Sequence, residues 1–422
     1  MLEHYYIKPD TIDRIRNSWI GQSIERYVSW LHEQGYASRN VFRRVPILMQ
    51  FGKFSQDNGA KSLKDLPNFI DDFAIKWVRE HGKNCKTDRA KKGVSNEAKA
   101  PIYQMLRLVL PNYSGGNRAP YSKLPFLGFA PNFFNYLNDE KGLRQSSLKN
   151  YGICLRAFEK YIGKIGVNTL KEVSPTIISA FITNNGKGLS KSALTGLCCI
   201  LRVFFSYLYR ERLIRKDLSG GIESPRKYRL SNVPRSISWD DVQKMLEAVD
   251  QRTAVGKRDY AILLLLVTYG LRAHEVAKLT LDHIDWKRDL LRIPERKAGH
   301  STAYPLTPIV GKAIFNYIQQ ARPKISDRHL FLRVLAPLGP LANSGVSCRA
   351  SYYLHKAGIT VSRPGSHTLR HTCVQRLVDA DFSLKTIGDY VGHRSPSSTN
   401  IYTKIAVESL REVALGDVED IL

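Results

Sequence analysis

In the last third of this chain two clusters of arginine and histidine stand far apart, and a tyrosine follows the second. The first is Tyr269-Gly270-Leu271-Arg272-Ala273-His274-Glu275. The second is His367-Thr368-Leu369-Arg370-His371, continued by Gly392-His393-Arg394-Ser395 and then Ile401-Tyr402-Thr403. Brought together, Arg272 and Arg370, His367 and His393, and Tyr402 would supply two guanidiniums, two imidazoles and a phenol. Paired guanidiniums can hold the non-bridging oxygens of one phosphate by bidentate hydrogen bonds. Their grip matters most in a pentacoordinate transition state, where negative charge grows on those oxygens. A phenol ionises near pH 10, so as a nucleophile it needs cations and a proton acceptor nearby. The set suits a phosphodiester attacked by a side chain. Each signal alone is usually structural; order and spacing give the set its weight.

These groups need elements to position them. Ser238-Trp239-Asp240-Asp241 resembles a capping arrangement that opens a helix through Ala248. Ala261 to Val267 is apolar on every side, as in a buried helix, and Gly270 would stop it. Arg272 would then open the next helix, with its guanidinium at an N-terminus where anions bind. Leu290 to Ile293 and Ala303 to Leu306 flank Lys297-Ala298-Gly299-His300 and suggest a short hairpin. Pro294 and Pro305 confine it to an edge or to strand ends. Helical patterns follow over 308–321, 344–357, 367–378 and 384–391, with Gly392 as the C′ residue of the last. His367 and Arg370, three apart, share a helix face.

The N-terminal half carries a diluted internal repeat, shifted by 107 residues so that Glu33 falls on Glu140. In that register Gly35 matches Gly142, Val41 matches Leu148, Leu48 matches Leu155, Phe51 matches Phe158 and Phe54 matches Tyr161. After extra residues in the first copy, Met105-Leu106 realigns with Ile200-Leu201. Apolar residues recur at helical spacing in both copies, so two related helical modules are the simplest reading. Asn112 to Lys123 reads as a linker, and so does Leu218 to Ser236, with its Gly-Gly and prolines. The second linker carries Arg226, Lys227, Arg229 and Arg235, which are either merely solvated or laid along a phosphate backbone. The basic stretch Lys83 to Lys92, including Lys86 and Lys91, is either a surface loop or another such contact.

At 422 residues the chain should form two or three domains. Lys and Arg outnumber Asp and Glu by 64 to 38, a net charge of +26 that favours a polyanionic partner, nucleic acid first. The six cysteines form no C-x-x-C pair, which fits a reducing cytoplasm rather than a disulfide framework or zinc site. Cys198 and Cys199 lie in an apolar helical run and are expected in the core. The N-terminus shows no signal peptide, and the longest apolar block, Ala261 to Val267, is too short to span a bilayer. A soluble intracellular protein is expected. Carboxylates do not gather near the motifs, and neither an H-x-H pair nor a G-x-x-x-x-G-K-[ST] run is present. These features disfavour two-metal nuclease, histidine-pair transposase and P-loop ATPase chemistry.

From about Leu124 to its end, the chain resembles a tyrosine recombinase of the phage-integrase type. Arg272 matches the G-L-R-x-x-E arginine, His367 to His371 the H-x-L-R-H box, and Gly392-His393 the G-H box. Tyr402 follows His393 by nine positions, as the family nucleophile does, and Lys297 matches the hairpin lysine. The turn lacks the common G-K-G form, so Arg296 is the fallback there. The resemblance implies a mainly α fold: two N-terminal helical modules and an α+β catalytic domain with a small β-hairpin or sheet. The implied division is 1–117, an additional helical domain that is a duplicated DNA-gripping unit or a protein contact; 124–223, the core-binding domain; and 236–422, the catalytic domain. Implied roles are Tyr402 as nucleophile, Lys297 as acid to the leaving 5′ oxygen, His367 as proton acceptor or phosphate orienter, and His393 as a donor to a non-bridging oxygen. Arg272 and Arg370 form the clamp and Glu275 buttresses it. No cofactor or metal is implied. The implied partner is double-stranded DNA, held by a homotetramer on synapsed sites, with or without related recombinases, in a bacterial cytoplasm at the nucleoid and without a membrane. Glu408 to Leu422 would form a tail helix, packing on a neighbouring protomer or on its own chain. Two alternatives stay open: DNA relaxation in the manner of a type IB topoisomerase, and a catalytically idle DNA-binding accessory protein.

Overall fold

The computed structural model describes residues 1–85, 87–116, 124–167, 169–226, 236–294 and 301–392. Lys86, Lys227, Arg229, Arg235, Arg296, Lys297, His393, Tyr402 and the 408–422 tail lie outside the described residues. Among the described residues three large hydrophobic cores form, within residues 2–106, 126–222 and 242–369, with a small fourth cluster of Val374, Ile387 and Val391. The chain divides into two compact units, one of Met1–Tyr113 with Asn232–Leu422 and one of Ser114–Ser231.

The first segment holds α1 (Pro9–Arg16), α2 (Gly21–Glu33), α3 (Ser38–Asp57), α4 (Ile70–His81) and α5 (Asp88–Val109). Helix α3 buries Val41, Val45, Leu48 and Phe51, a stripe at helical spacing that faces the core. Each such side chain contributes roughly 1.5–3 kcal/mol on burial. Proline starts α1, where its missing N–H is no loss. Thr87 caps α5 by accepting from the Ala90 N–H.

The second unit repeats the plan. A short α6 (Phe133–Asn135) runs into a π-helical stretch, Tyr136–Glu140, followed by α7 (Gln145–Lys164), α8 (Pro175–Gly186) and α9 (Lys191–Arg210). Helices α3 and α7 are each 20 residues long and coincide under the shift read from the sequence. Leu48 and Leu155, Phe51 and Phe158, and Leu106 and Leu201 are pairwise fully buried. Gly35 and Gly142 both have positive φ, 71° and 58°, which a glycine adopts without strain. Helix α9 is long and apolar enough to cross a membrane by length and composition, unlike the shorter 261–267 block considered above. Here its apolar stripe packs against α7 and α8. One expectation fails: Cys198 is buried but Cys199 is exposed. Neighbouring residues on a helix point about 100° apart, so only one of the two can face the core.

The C-terminal segment is built around α11. It contains α10 (Trp239–Glu247), α11 (Ala254–Tyr269), α12 (Ala273–Ala277), β1 (Ile284–Asp285), β2 (Leu290–Ile293), β3 (Thr302–Pro305), α13 (Pro308–Gln320), α14 (Asn343–Lys356), α15 (Ser366–Asp379) and α16 (Leu384–Val391). Ser238 caps α10 through the Asp241 N–H. The strands form one antiparallel sheet in the order β1-β2-β3, with Leu291 opposite Tyr304. Strand β1, two residues long, was not foreseen; it has no alternation of its own and exists only by pairing with β2. From Ala261 to Val267 α11 is buried all round, between α13 and α15. Its first turns bury Asp259, which accepts from Arg258 at 2.7 Å and from the Tyr353 hydroxyl at 3.3 Å, with Arg349 at 3.7 Å. A buried carboxylate survives only with such partners. Within this unit the loop carrying Leu338 meets the first segment, where the Leu338 N–H donates to the Gln34 carbonyl at 3.3 Å.

Candidate active site

Helix α11 ends at Gly270, which takes a left-handed conformation (φ 57°). A Cβ there would stand 3.1 Å from Cys373 Sγ and 3.2 Å from Val391 Cγ1, so the turn is packed as well as twisted. The turn delivers Arg272 to the N-cap of α12. Arg272 thus stands at a helix start as expected, and the Glu275 carboxylate accepts from the Arg272 backbone N–H at 2.8 Å. The same carboxylate accepts from Arg272 Nη1 at 2.8 Å and fixes the guanidinium. Arg272 Nη2 donates to the Gly392 carbonyl at 2.8 Å.

Arg370 arrives from α15, where it is buried at 5% exposure. Its Nη1 donates to the Gly270 carbonyl at 2.5 Å and its Nη2 to the Val391 carbonyl at 2.7 Å. The two guanidiniums, a hundred residues apart in sequence, therefore bind consecutive carbonyls at the C-terminus of α16. That end carries the negative pole of the helix and favours cations. His367 lies one turn before Arg370 and keeps an exposed edge. The protein around it strips part of its hydration, and Arg370 and Arg272 add their repulsion, so its pKa lies below the ordinary imidazole value. This favours the neutral ring, which can accept a proton. Cys373 sits behind the turn, its thiol pushed up to about 12 chiefly by burial, and is not an available nucleophile.

The structure thus gathers Arg272, Glu275, His367 and Arg370 around Gly392, while Lys297, His393 and Tyr402 lie outside the described residues. Lys91 is exposed on α5, on a groove also lined by Asp71, Ile75, Lys92 and Lys99; Arg226 is exposed in the second unit. Lys91 does not join the arginine cluster among the described residues. Sequence reasoning missed Tyr304 and Tyr390, whose rings pack in series with that of Tyr269 beside the cluster at centroid distances of 5.0 and 5.1 Å. The signal available for Tyr304 was its place in an alternating strand, which reads as core packing. Among the described residues, no three or more His, Cys, Asp and Glu side chains are grouped to hold a metal ion.

The mainly helical fold with one small antiparallel sheet, and the arginine cluster it assembles, have counterparts among known proteins. Residues 235–409 match the Phage integrase family, and residues 131–212 match the Phage integrase N-terminal SAM-like domain. The chain is 33% identical over 281 residues to y4rA of Sinorhizobium fredii (strain NBRC 101917 / NGR234), which carries an integrase/recombinase name. That match covers 66% of this chain and 68% of y4rA. It is 27% identical to y4rF of the same organism over 98% of this chain and 95% of y4rF, so the first 113 residues also have a counterpart. Tyrosine recombinase XerC of Bacillus subtilis (strain 168) is 28% identical, over 68% of this chain and 95% of XerC. Among solved structures, XerH bound to its difH substrate in a pre-cleavage complex superposes with a TM-score of 0.51 at 18% identity, covering 65% of this chain and 81% of XerH. A lambda integrase dimer bound to a COC′ core site gives 0.52 at 17%, covering 75% and 87%. The chain belongs to the phage integrase family of tyrosine recombinases.

Proposed function

We propose that this protein is a site-specific recombinase that cleaves and rejoins double-stranded DNA through a 3′-phosphotyrosine intermediate. The observation that carries the reading is the convergence of Arg272 and Arg370 on consecutive carbonyls, with His367, its neutral form favoured, beside them. Such a group concentrates fixed positive charge where a phosphate in transition would accumulate negative charge. The Tyr402 phenol oxygen attacks phosphorus, the bond from phosphorus to O5′ breaks, and an ester to tyrosine takes its place. His367 accepts or relays the phenol proton, Lys297 protonates the departing O5′, and His393 donates to a non-bridging oxygen. Attack by a 5′-hydroxyl from the partner duplex reverses the step. The number of phosphoester bonds is unchanged, so the exchange has no need of ATP. XerH and lambda integrase were solved on DNA substrates, which supports the DNA partner.

In this reading 236–422 is the catalytic domain, 124–223 grips the core site, and 1–117 is a second gripping module derived from the same plan. The working assembly is a homotetramer on two synapsed sites of a bacterial mobile element. The test uses a nicked suicide duplex built from the inverted repeats that flank the gene. Wild-type protein should become covalently attached to it. Tyr402→Phe should bind equally well by gel shift and form no adduct; an adduct from the variant would place the nucleophile elsewhere. Exchange between two sites, rather than relaxation of a supercoiled plasmid alone, separates a recombinase from a topoisomerase.

A further inference from the structure

The last carbonyls of α16 find partners among the described residues. A helix leaves its final carbonyls without intrahelical donors. Here the Gly392 N–H serves Gly388 and Asp389. The next three are served by side chains from three separate elements. The Tyr390 carbonyl accepts from the Tyr304 hydroxyl on β3, the Val391 carbonyl from Arg370 on α15, and the Gly392 carbonyl from Arg272 at the head of α12. Tyr304 is therefore the third member of a set whose other two are the arginines.

Its surroundings tie it further. Tyr304 is 2% exposed, and its ring lies between those of Tyr269 and Tyr390. Tyr390 donates its own hydroxyl to the Thr268 carbonyl at 3.0 Å, two residues before the Gly270 turn. Tyr269 donates to the Pro305 carbonyl at 2.8 Å and accepts from the Thr307 N–H at 3.1 Å, which fixes the far end of β3. Phenylalanine would fill the same apolar space. The buried hydroxyl therefore links the β2–β3 hairpin to α16 by a directional bond that phenylalanine could not make.

We propose that Tyr304 is a positioning residue for the phosphoryl transfer: its hydroxyl locks the β2–β3 hairpin to the C-terminus of α16, so that groups carried beyond the hairpin strands and beyond Gly392 address one phosphate together. The inference rests on the function proposed above and names a residue that reading does not use. If the hairpin carries the acid for the departing O5′, loosening it should harm proton delivery more than DNA binding or nucleophilic attack.

The test compares wild type with Tyr304→Phe on the nicked duplex, made once with the ordinary 5′ oxygen and once with a bridging 5′ sulfur. A thiol ionises near pH 8.5, so sulfur departs without an acid. Gel-shift affinity should be unchanged. Single-turnover cleavage of the oxygen substrate should slow by 10-fold or more, on the order of the share a general acid supplies, and the sulfur substrate should restore wild-type speed. Equal rates on oxygen, or an equal loss on both substrates, would overturn the assignment. Hydrogen exchange on the protein alone gives a second reading: amides of 302–304 and 388–391 should exchange faster together in the variant, and no change in either would count against the lock. If wild type forms no adduct at all, the recombinase reading fails and takes this inference with it. If wild type does and Tyr304→Phe matches it, only the inference fails.

Discussion

His367 shows how a single side chain is tuned by what surrounds it. Partial desolvation, then Arg370 and Arg272, hold its folded pKa below the ordinary value. In the unfolded chain the ring titrates near pH 6.5. As the pH falls through that value the unfolded state gains a proton that the folded state resists, so the fold loses stability; above it the group contributes nothing. Replacing His367 with Gln removes this liability. Urea unfolding of both proteins should show the variant less destabilised between about pH 7 and pH 5. Equal acid sensitivity would mean that the ring is not facing the guanidiniums. Cleavage by wild type should hold to a lower pH than an unperturbed imidazole would allow.

At the scale of elements, the site is a meeting of ends. The C-terminus of α11, the head of α12, the first turn of α15 and the C-terminus of α16 converge, with β3 alongside. Gly270 makes the meeting possible, because its left-handed turn puts its carbonyl on Arg370 and its open side against Cys373 and Val391. Alanine there should cost about 1–2 kcal/mol from backbone conformation alone, more with the crowding, and should lower the urea midpoint accordingly. Cleavage should fall further than stability, because the shifted carbonyl releases Arg370. A variant with a lowered midpoint and full cleavage would show that the turn serves folding only.

The whole molecule carries +26 net charge over three large cores. Binding to its duplex should therefore be driven by counterion release. A protein making six or more phosphate contacts loses about 10³-fold or more in affinity between 50 and 200 mM salt. Removing residues 1–113 should leave a folded protein, since that segment has its own core and shares no hydrophobic cluster with the C-terminal segment. The shortened protein should bind more weakly and with a shallower salt slope, measured by fluorescence anisotropy. An unchanged slope would assign the first module to protein contacts instead of DNA.

Much of this was legible in the residues. Helix bounds such as 384–391, the stop at Gly270, the hairpin strands and the repeat were all set by local periodicity and by glycine, which act within a few residues. The matching apolar stripes of α3 and α7 are a property of sequence alone. Local rules could not show that Cys199 turns outward or that β1 exists. Nor could they show that Arg272, Arg370 and Tyr304 serve three successive carbonyls of α16. Residue types and their order fixed which chemistry was available, because those are written along the chain. Which atoms meet was decided by tertiary packing, because hydrogen bonds between residues a hundred positions apart depend on how whole elements come to rest against one another.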